Sequence, residues 1–499
     1  MSKNGAQNGI SAPTFWEQYK RKPLGMVGLF IVLVYIFVAI FAPFLTPYNP
    51  KQILLADRIA APVWFRSVVP QYNDAPSTVR TDLGPNEWTV SEATGGKLSS
   101  QEQDGKTITV IGFDPVFSGD VIAEGEADAF EDSEFADAYE KEPDMSVVEL
   151  SYVVPYTYSP PKTFGLTFNY WIDASPDSKT ELQFVIETPE GKEFNLWGKS
   201  YSGALGSQPA RIDSRDLTLK QRLGLTIFDD PAPRIFSSKG DYRLVLTAKA
   251  TSGEEPTRVC ISDTVFYIPG MVHGVLGADH MGADLWAQLV YGTRISLSIG
   301  LSAAAISVAV GTAVGIICGY LGGVVDEFMM RVVDVLMAIP TLPILIILGA
   351  ILGKSVWNIV LLISAFAWMG TARLVRSQTL SLRERVFVEA AKASGASDAY
   401  VMITHILPNV LPLVFAGMVL RIPSAILTEA SLSFLGLGDP RVATWGRMLH
   451  NARGFGAFTT LAWWWLVPPG LAITFLSLAF VFIGNTVNEI LNPRYRERS

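Results

Sequence analysis

Cysteine and histidine are nearly missing from this chain of 499 residues, with two of the first and four of the second. Cys260 and Cys318 lie far apart, one in a polar block and one in an apolar run, so neither a disulfide framework nor a zinc-ligand spacing can be assembled from them. Charge is scarce too. Lys, Arg, Asp and Glu make up 17% of the chain against 49% hydrophobic residues, whereas a soluble domain carries about a quarter charged residues. The shortage is uneven. Residues 51–270 hold about 20 basic and 34 acidic side chains, net about −14, and the remainder about 19 basic and 13 acidic, net about +6. An acidic polar block inside an apolar, mildly basic frame excludes a single soluble domain, a disordered chain and a collagen-like fibre. No basic stripe is present and the acidic block repels phosphates, which argues against nucleic acid as a partner.

What is present is long apolar runs. Residues 24–45 form an uncharged stretch that as a helix is about 33 Å long, enough to cross the hydrocarbon core. Lys20, Arg21 and Lys22 precede it and predict a cytoplasmic N-terminus. The run is too long for a signal peptide, and no small-x-small cleavage site follows. Residues 295–320, 328–352, 356–375, 410–435 and 461–483 are five further apolar segments. The expectation is a membrane all-α protein with six transmembrane helices, multi-pass in the cell membrane, contacting lipid, with both termini cytoplasmic. Arg373, Arg376, Arg383, Arg385 and Lys392 cluster on one side assigned to the cytoplasm, as do Arg494, Arg496 and Arg498. Arg441, Arg447 and Arg453, in a short outside loop, count against the scheme and are outnumbered. Gly311, Gly315 and Gly319 recur every fourth residue, a row that lets helix backbones approach closely in lipid.

By this orientation the polar block is extracytoplasmic. Its first half is irregular and rich in Pro and Gly, and residues 124–144 are strongly acidic, which suits a solvated linker. From about residue 147 short runs rich in Val, Ile, Thr, Phe and Tyr follow, at 163–172, 181–187, 217–228, 240–250 and 259–268, separated by turn residues. They predict an inserted, mainly-β domain resembling a β-sandwich, with Trp171 and Trp197 in its core. The organisation expected is an N-terminal arm (1–23), a first span (24–45), the inserted domain (46–270), an amphipathic pre-span segment (271–293), a five-helix core (294–485) with a cytoplasmic loop at 378–408, and a C-terminal tail (486–499).

That loop is the most informative stretch. Glu389-Ala390-Ala391 is followed by Gly395 and then His405-Ile406-Leu407-Pro408. Residues 383–393 have helix-forming composition and Gly395 can end the helix. Pro408 suits the opening turn of the next span. The two alanines offer a flat face for another protein and Glu389 a charge to position it. Arg421 and Glu429 fall within the fifth span, where a charge must face protein or water. They are candidates for a conduit lining or a subunit interface.

These residues resemble the EAA loop of ABC importer permeases. Flanking segments extend the resemblance to the dipeptide/oligopeptide/nickel branch: Leu276 to Asp284, Tyr291 to Leu297, Gly319-Tyr320-Leu321-Gly322-Gly323, Ala338-Ile339-Pro340, Glu429 to Gly438, and Trp445-Gly446. As an ordered set they are specific; singly they are weak. The resemblance implies a type I importer permease fold, with coupling to the ATPase through Glu389, Ala390, Ala391, Gly395, Leu407 and Pro408. It implies a second homologous permease subunit, two ATPase subunits and an external substrate-binding protein as partners. ATP and Mg would sit on the ATPases, none on this chain. The solute would be a short peptide or a related small molecule, and the chain itself would not be an enzyme. Three features depart from the pattern: Ala283 where Arg is common, His405 where Ile is usual, and about 220 residues between the first two spans where a few tens suffice. The other readings are a secondary transporter and a membrane-anchored receptor working through its β-domain. The run from Gly349 to Ser355 mimics a phosphate loop with one residue too few and at a helix end. His273 and His280 lack a clear third ligand, so no metal site is expected.

Overall fold

The computed structural model describes residues 14–103, 106–114, 145–251 and 255–491. The acidic stretch 124–144 and Arg494, Arg496 and Arg498 lie outside them. The chain divides into two compact units, residues 54–273 and the flanking parts 1–53 and 274–499.

In the flanking unit α1 (Phe15–Lys20) begins at Thr14, which exchanges capping hydrogen bonds with Glu17. This reciprocal pair satisfies two otherwise orphaned backbone donors. Pro23 opens α2 (Pro23–Leu45), at the helical position where a missing N–H costs nothing.

The inserted unit is built on eleven strands among the described residues: β1 (Val79–Leu83), β2 (Thr89–Thr94), β3 (Gly96–Gln103), β4 (Lys106–Phe113), β5 (Ser146–Tyr156), β6 (Gly165–Asp173), β7 (Lys179–Glu187), β8 (Glu193–Ser202), β9 (Leu205–Asp213), β10 (Gly240–Thr251) and β11 (Thr257–Ile268). One sheet runs β3-β4-β11-β6-β9, with β1 also paired to β11; the other runs β2-β5-β10-β7-β8. Every pairing is antiparallel. Alternation places Leu182, Phe184 and Ile186 of β7 and Tyr242, Leu244 and Leu246 of β10 in one core between the sheets. There the Phe168 ring stands nearly perpendicular to Trp197 at 5.1 Å, a preferred aromatic geometry.

Three expectations change in this unit. Strands begin at Val79, not near residue 147. Two of the early strands leave little alternation to read: all six residues of β2 are exposed and β1 buries only Leu83. Residues 217–228 are not a strand. They hold a short helix, α4 (Leu217–Arg222), which buries Leu219 and Lys220, and a turn at Gly224. Besides α4 the unit has α3 (Phe65–Val68) and α5 (Pro231–Ile235). Trp197 is in the core, but Trp171 is not. It follows Tyr170, whose side chain points inward, so period two turns Trp171 to the outer face against Ile108, Val110 and Cys260.

The rest of the flanking unit is helical. It comprises α6 (Leu285–Leu321), α7 (Gly323–Ala338), α8 (Thr341–Leu352), α9 (Val356–Arg383), α10 (Val386–Ala393), α11 (Asp398–Tyr400), α12 (Leu407–Phe434), α13 (Trp445–Gly454) and α14 (Trp463–Leu491), with a π-helical stretch Val401–Ile406 leading into α12. Asp284 starts α6 by accepting the Ala287 N–H at 2.6 Å, so α6 takes in the end of the expected pre-span segment and continues as a span. The glycine row packs on α9. A Cβ on Gly311 would lie 2.5 Å from the Trp368 carbonyl oxygen, one on Gly315 2.6 Å from that of Ala372, and one on Gly319 2.7 Å from Thr379 Cβ.

Five helical segments among the described residues are long and apolar enough to cross a membrane. The expected third span, residues 328–352, is not one straight helix: α7 and α8 meet at 89°. Pro340 lacks an N–H and disfavours helical backbone at the residue before it, and Ile339 is accordingly extended, with φ −85° and ψ 131°. The count reaches six only when this bent pair is taken as one span.

Candidate functional site

Residues 383–408 fold into a compact foot beneath α6, α9 and α12. Helix α10 is amphipathic: Val388 is fully buried while Val386 is 80% exposed. Val388 joins Val401, Ile406, Val375, Ile316 and Tyr320 in one apolar cluster, which roots the foot to three long helices. The outer face shows Val386, Glu389 and Ala390 to solvent. Ala391 turns inward and packs against the cluster, as does Leu407, whereas Pro408 is exposed. The six residues named from sequence thus share one structure but not one surface.

Gly395 terminates α10. Its N–H donates to the Lys392 carbonyl at 2.9 Å and that of Ala396 to the Ala391 carbonyl at 3.1 Å. This paired pattern requires a left-handed residue between, and Gly395 has φ +83°. A Cβ there would meet nothing within 4 Å. The demand for glycine is conformational, worth about 1–2 kcal/mol against other residues.

Contacts invisible to sequence reading hold the foot in place. Tyr320, at the end of α6, donates its hydroxyl to Asp398 Oδ1 at 2.8 Å, and its carbonyl accepts from Arg383 Nη1 at 3.1 Å. Lys392 Nζ sits 4.6 Å from the centre of its ring. The π-helical stretch stands where the chain turns back toward α12. Its signal in sequence was only Pro408, which leaves the Thr404 carbonyl without its usual helical donor.

Arg421 and Glu429 share α12 but not a site. Glu429 is 1% exposed. Ser433 Oγ donates to its Oε1 at 2.7 Å, and Thr444, the cap of α13, adjoins the carboxyl. Glu429 therefore ties α12 to α13. Arg421 lines one of about 270 Å³ together with Ser307, Thr341, Phe366, Ser424 and Thr428. A lone cation at mid-span costs about 2.5–3.5 kcal/mol on insertion scales.

Long apolar helices, one glycine row in close packing and a charge turned into a cavity between helices define a multi-pass membrane protein. A family model described as the inner membrane component of binding-protein-dependent transport systems matches residues 311–497. A second, described as the N-terminal TM domain of oligopeptide transport permease C, matches residues 14–62. The chain belongs to this family of transport-system membrane components. It is 39% identical over 221 residues, 44% of this chain and 70% of the relative, to the oligopeptide transport system permease protein OppC of Haemophilus influenzae. It is 36% identical over 222 residues, 44% of this chain and 72% of the relative, to the protein of the same name from Bacillus subtilis. A putative peptide permease protein of Brucella ovis is 38% identical over 219 residues, 44% of this chain and 72% of its own length.

Proposed function

We propose that this chain is one permease subunit of an ATP-driven ABC importer for short peptides or related small solutes. It forms half of the translocation path, and a homologous permease supplies the other half. Two ATPase subunits, which hold ATP and Mg, dock on the feet of the two permeases, and an external binding protein delivers the solute. The chain itself catalyses nothing. Both termini and the foot are cytoplasmic and the β-unit extracytoplasmic, in keeping with the basic residues flanking the first span and surrounding the foot.

The observation that carries this reading is helix α10, rooted in the long helices by Val388 while presenting Glu389 and Ala390 outward. A helix so anchored transmits a push to α6, α9 and α12 together. ATP shifts the permease between inward- and outward-facing forms only through its different affinity for the ATPase pair in each. The peptide class is supported by the names of the relatives.

Gly395→Val tests the coupling. Its strain falls on the end of α10 and leaves the buried cluster intact. The expected variant inserts and assembles normally, yet hydrolyses ATP with at least tenfold less uptake per nucleotide in proteoliposomes. Uptake per ATP equal to wild type refutes a coupling role for the foot.

A further inference from the structure

Arg421 lies within a helical segment long and apolar enough to cross a membrane. It projects from the middle of α12 into the cavity between α6, α8 and α9, and no carboxylate pairs with it among the described residues. Glu429, two turns further along α12, is engaged by Ser433 and Thr444 instead. Gly370 on α9 gives the guanidinium its berth: a Cβ there would lie 2.7 Å from Nη2 of Arg421. The hydroxyls around the cavity fall into two kinds. Ser307 donates to the Ala304 carbonyl at 3.0 Å and Thr428 to the Ser424 carbonyl at 2.7 Å, so each leaves only its oxygen as an acceptor. Thr341 and Ser424 also line the cavity, and among the described residues no acceptor takes their protons.

We propose that this cavity is an anion subsite that takes the C-terminal carboxylate of a solute in passage. Arg421 supplies the planar pair of donors that matches a carboxylate, and Thr341 and Ser424 can add a third. Ser307 and Thr428 accept from an N–H next to the carboxylate, an arrangement found at the last residue of a peptide and absent from a bare inorganic anion. A volume of about 270 Å³ holds the end of such a molecule, not all of it. The site deepens the permease reading and rests on it.

The test uses the complete assembly with its partner permease, ATPases and binding protein in proteoliposomes. ATP-driven accumulation of a mixed tri- to pentapeptide pool is measured by mass spectrometry, with the pool supplied as free acids or as C-terminal amides. Wild type favours the acids. R421Q lowers acid uptake about tenfold more than amide uptake, the loss of one charge-assisted pair, and R421K recovers part of the difference. Discrimination by the binding protein cancels, since it is common to all three. Equal loss for both pools in R421Q makes Arg421 a structural residue, for instance one paired with a carboxylate of the partner permease, and overturns the subsite. Uptake of neither pool by wild type defeats the peptide reading itself and this ligand with it.

Discussion

A carboxylate as covered as Asp439, at 5% exposed, needs a cation close by. Arg441 provides it, with Nε 3.0 Å from Oδ1, Nη2 2.9 Å from Oδ2, and its own backbone N–H 2.9 Å from Oδ1. The Arg441 guanidinium, helped by that N–H, outweighs burial and holds the Asp439 carboxyl down at about 2. The folded-state value lies below the unfolded one, about 3.9. The stabilisation is therefore fully present above pH 4 and is lost as pH falls through about 2. D439N should lower the melting temperature of the purified chain in detergent at pH 7, with the gap to wild type closing between pH 4 and pH 2. A gap that is constant across this range would deny the pair its role. The same residues show why loop charges mislead when merely counted. Arg441 is neutralised by Asp439, Arg447 donates to the carbonyls of Asp439, Pro440 and Val442, and the Arg453 guanidinium lies 5.2 Å from the Phe434 ring centre. Sequence presents three cations against the orientation scheme; folding gives each a local partner.

Among the elements, the α6–α9 pair is the best test of how the helical unit is held. Three glycines bring the backbones so close that Cβ atoms there would fall at 2.5–2.7 Å from α9, far inside van der Waals contact. Without a hydrophobic drive between helices in lipid, such contact is the main source of affinity. Gly315→Leu must push the helices apart, since the obstacles are the Ala372 carbonyl and Val375 Cβ. The expected result is loss of the folded chain from detergent extracts, seen as aggregation in gel filtration, while a leucine at the open position Gly417 has little effect. Monodisperse G315L would contradict the packing. The glycine row was readable because its spacing matches the helix repeat. The bend at Pro340 was hidden because the apolar run continues through it, and hydropathy is blind to direction. Strand β2 was hidden for the opposite reason, since all six of its residues are exposed and leave no alternation. The foot helix was legible from its alanines and Gly395; its anchors Tyr320 and Asp398 lie 78 residues apart and no local pattern joins them.

For the molecule as a whole, the split into a helical unit and an inserted β-unit was visible as a change of charge and composition. Six spans were expected, and the structure offers five and a bent pair. If the chain turns the work of a separate ATPase into movement of its helices through α10, as proposed, the exposed face of that helix touches an ATPase subunit. Ala390→Cys puts one reactive thiol on the exposed face of that helix. The native thiols stay silent: Cys318 is fully buried, and burial of Cys260 pushes its thiol up to about 11. With a short bis-maleimide applied to membranes holding the whole assembly, the expected product is an adduct between this chain and an ATPase subunit, unaffected by a membrane-impermeant maleimide added from outside the cell. A thiol at 390 that is blocked from outside, or that joins no ATPase subunit, would contradict it.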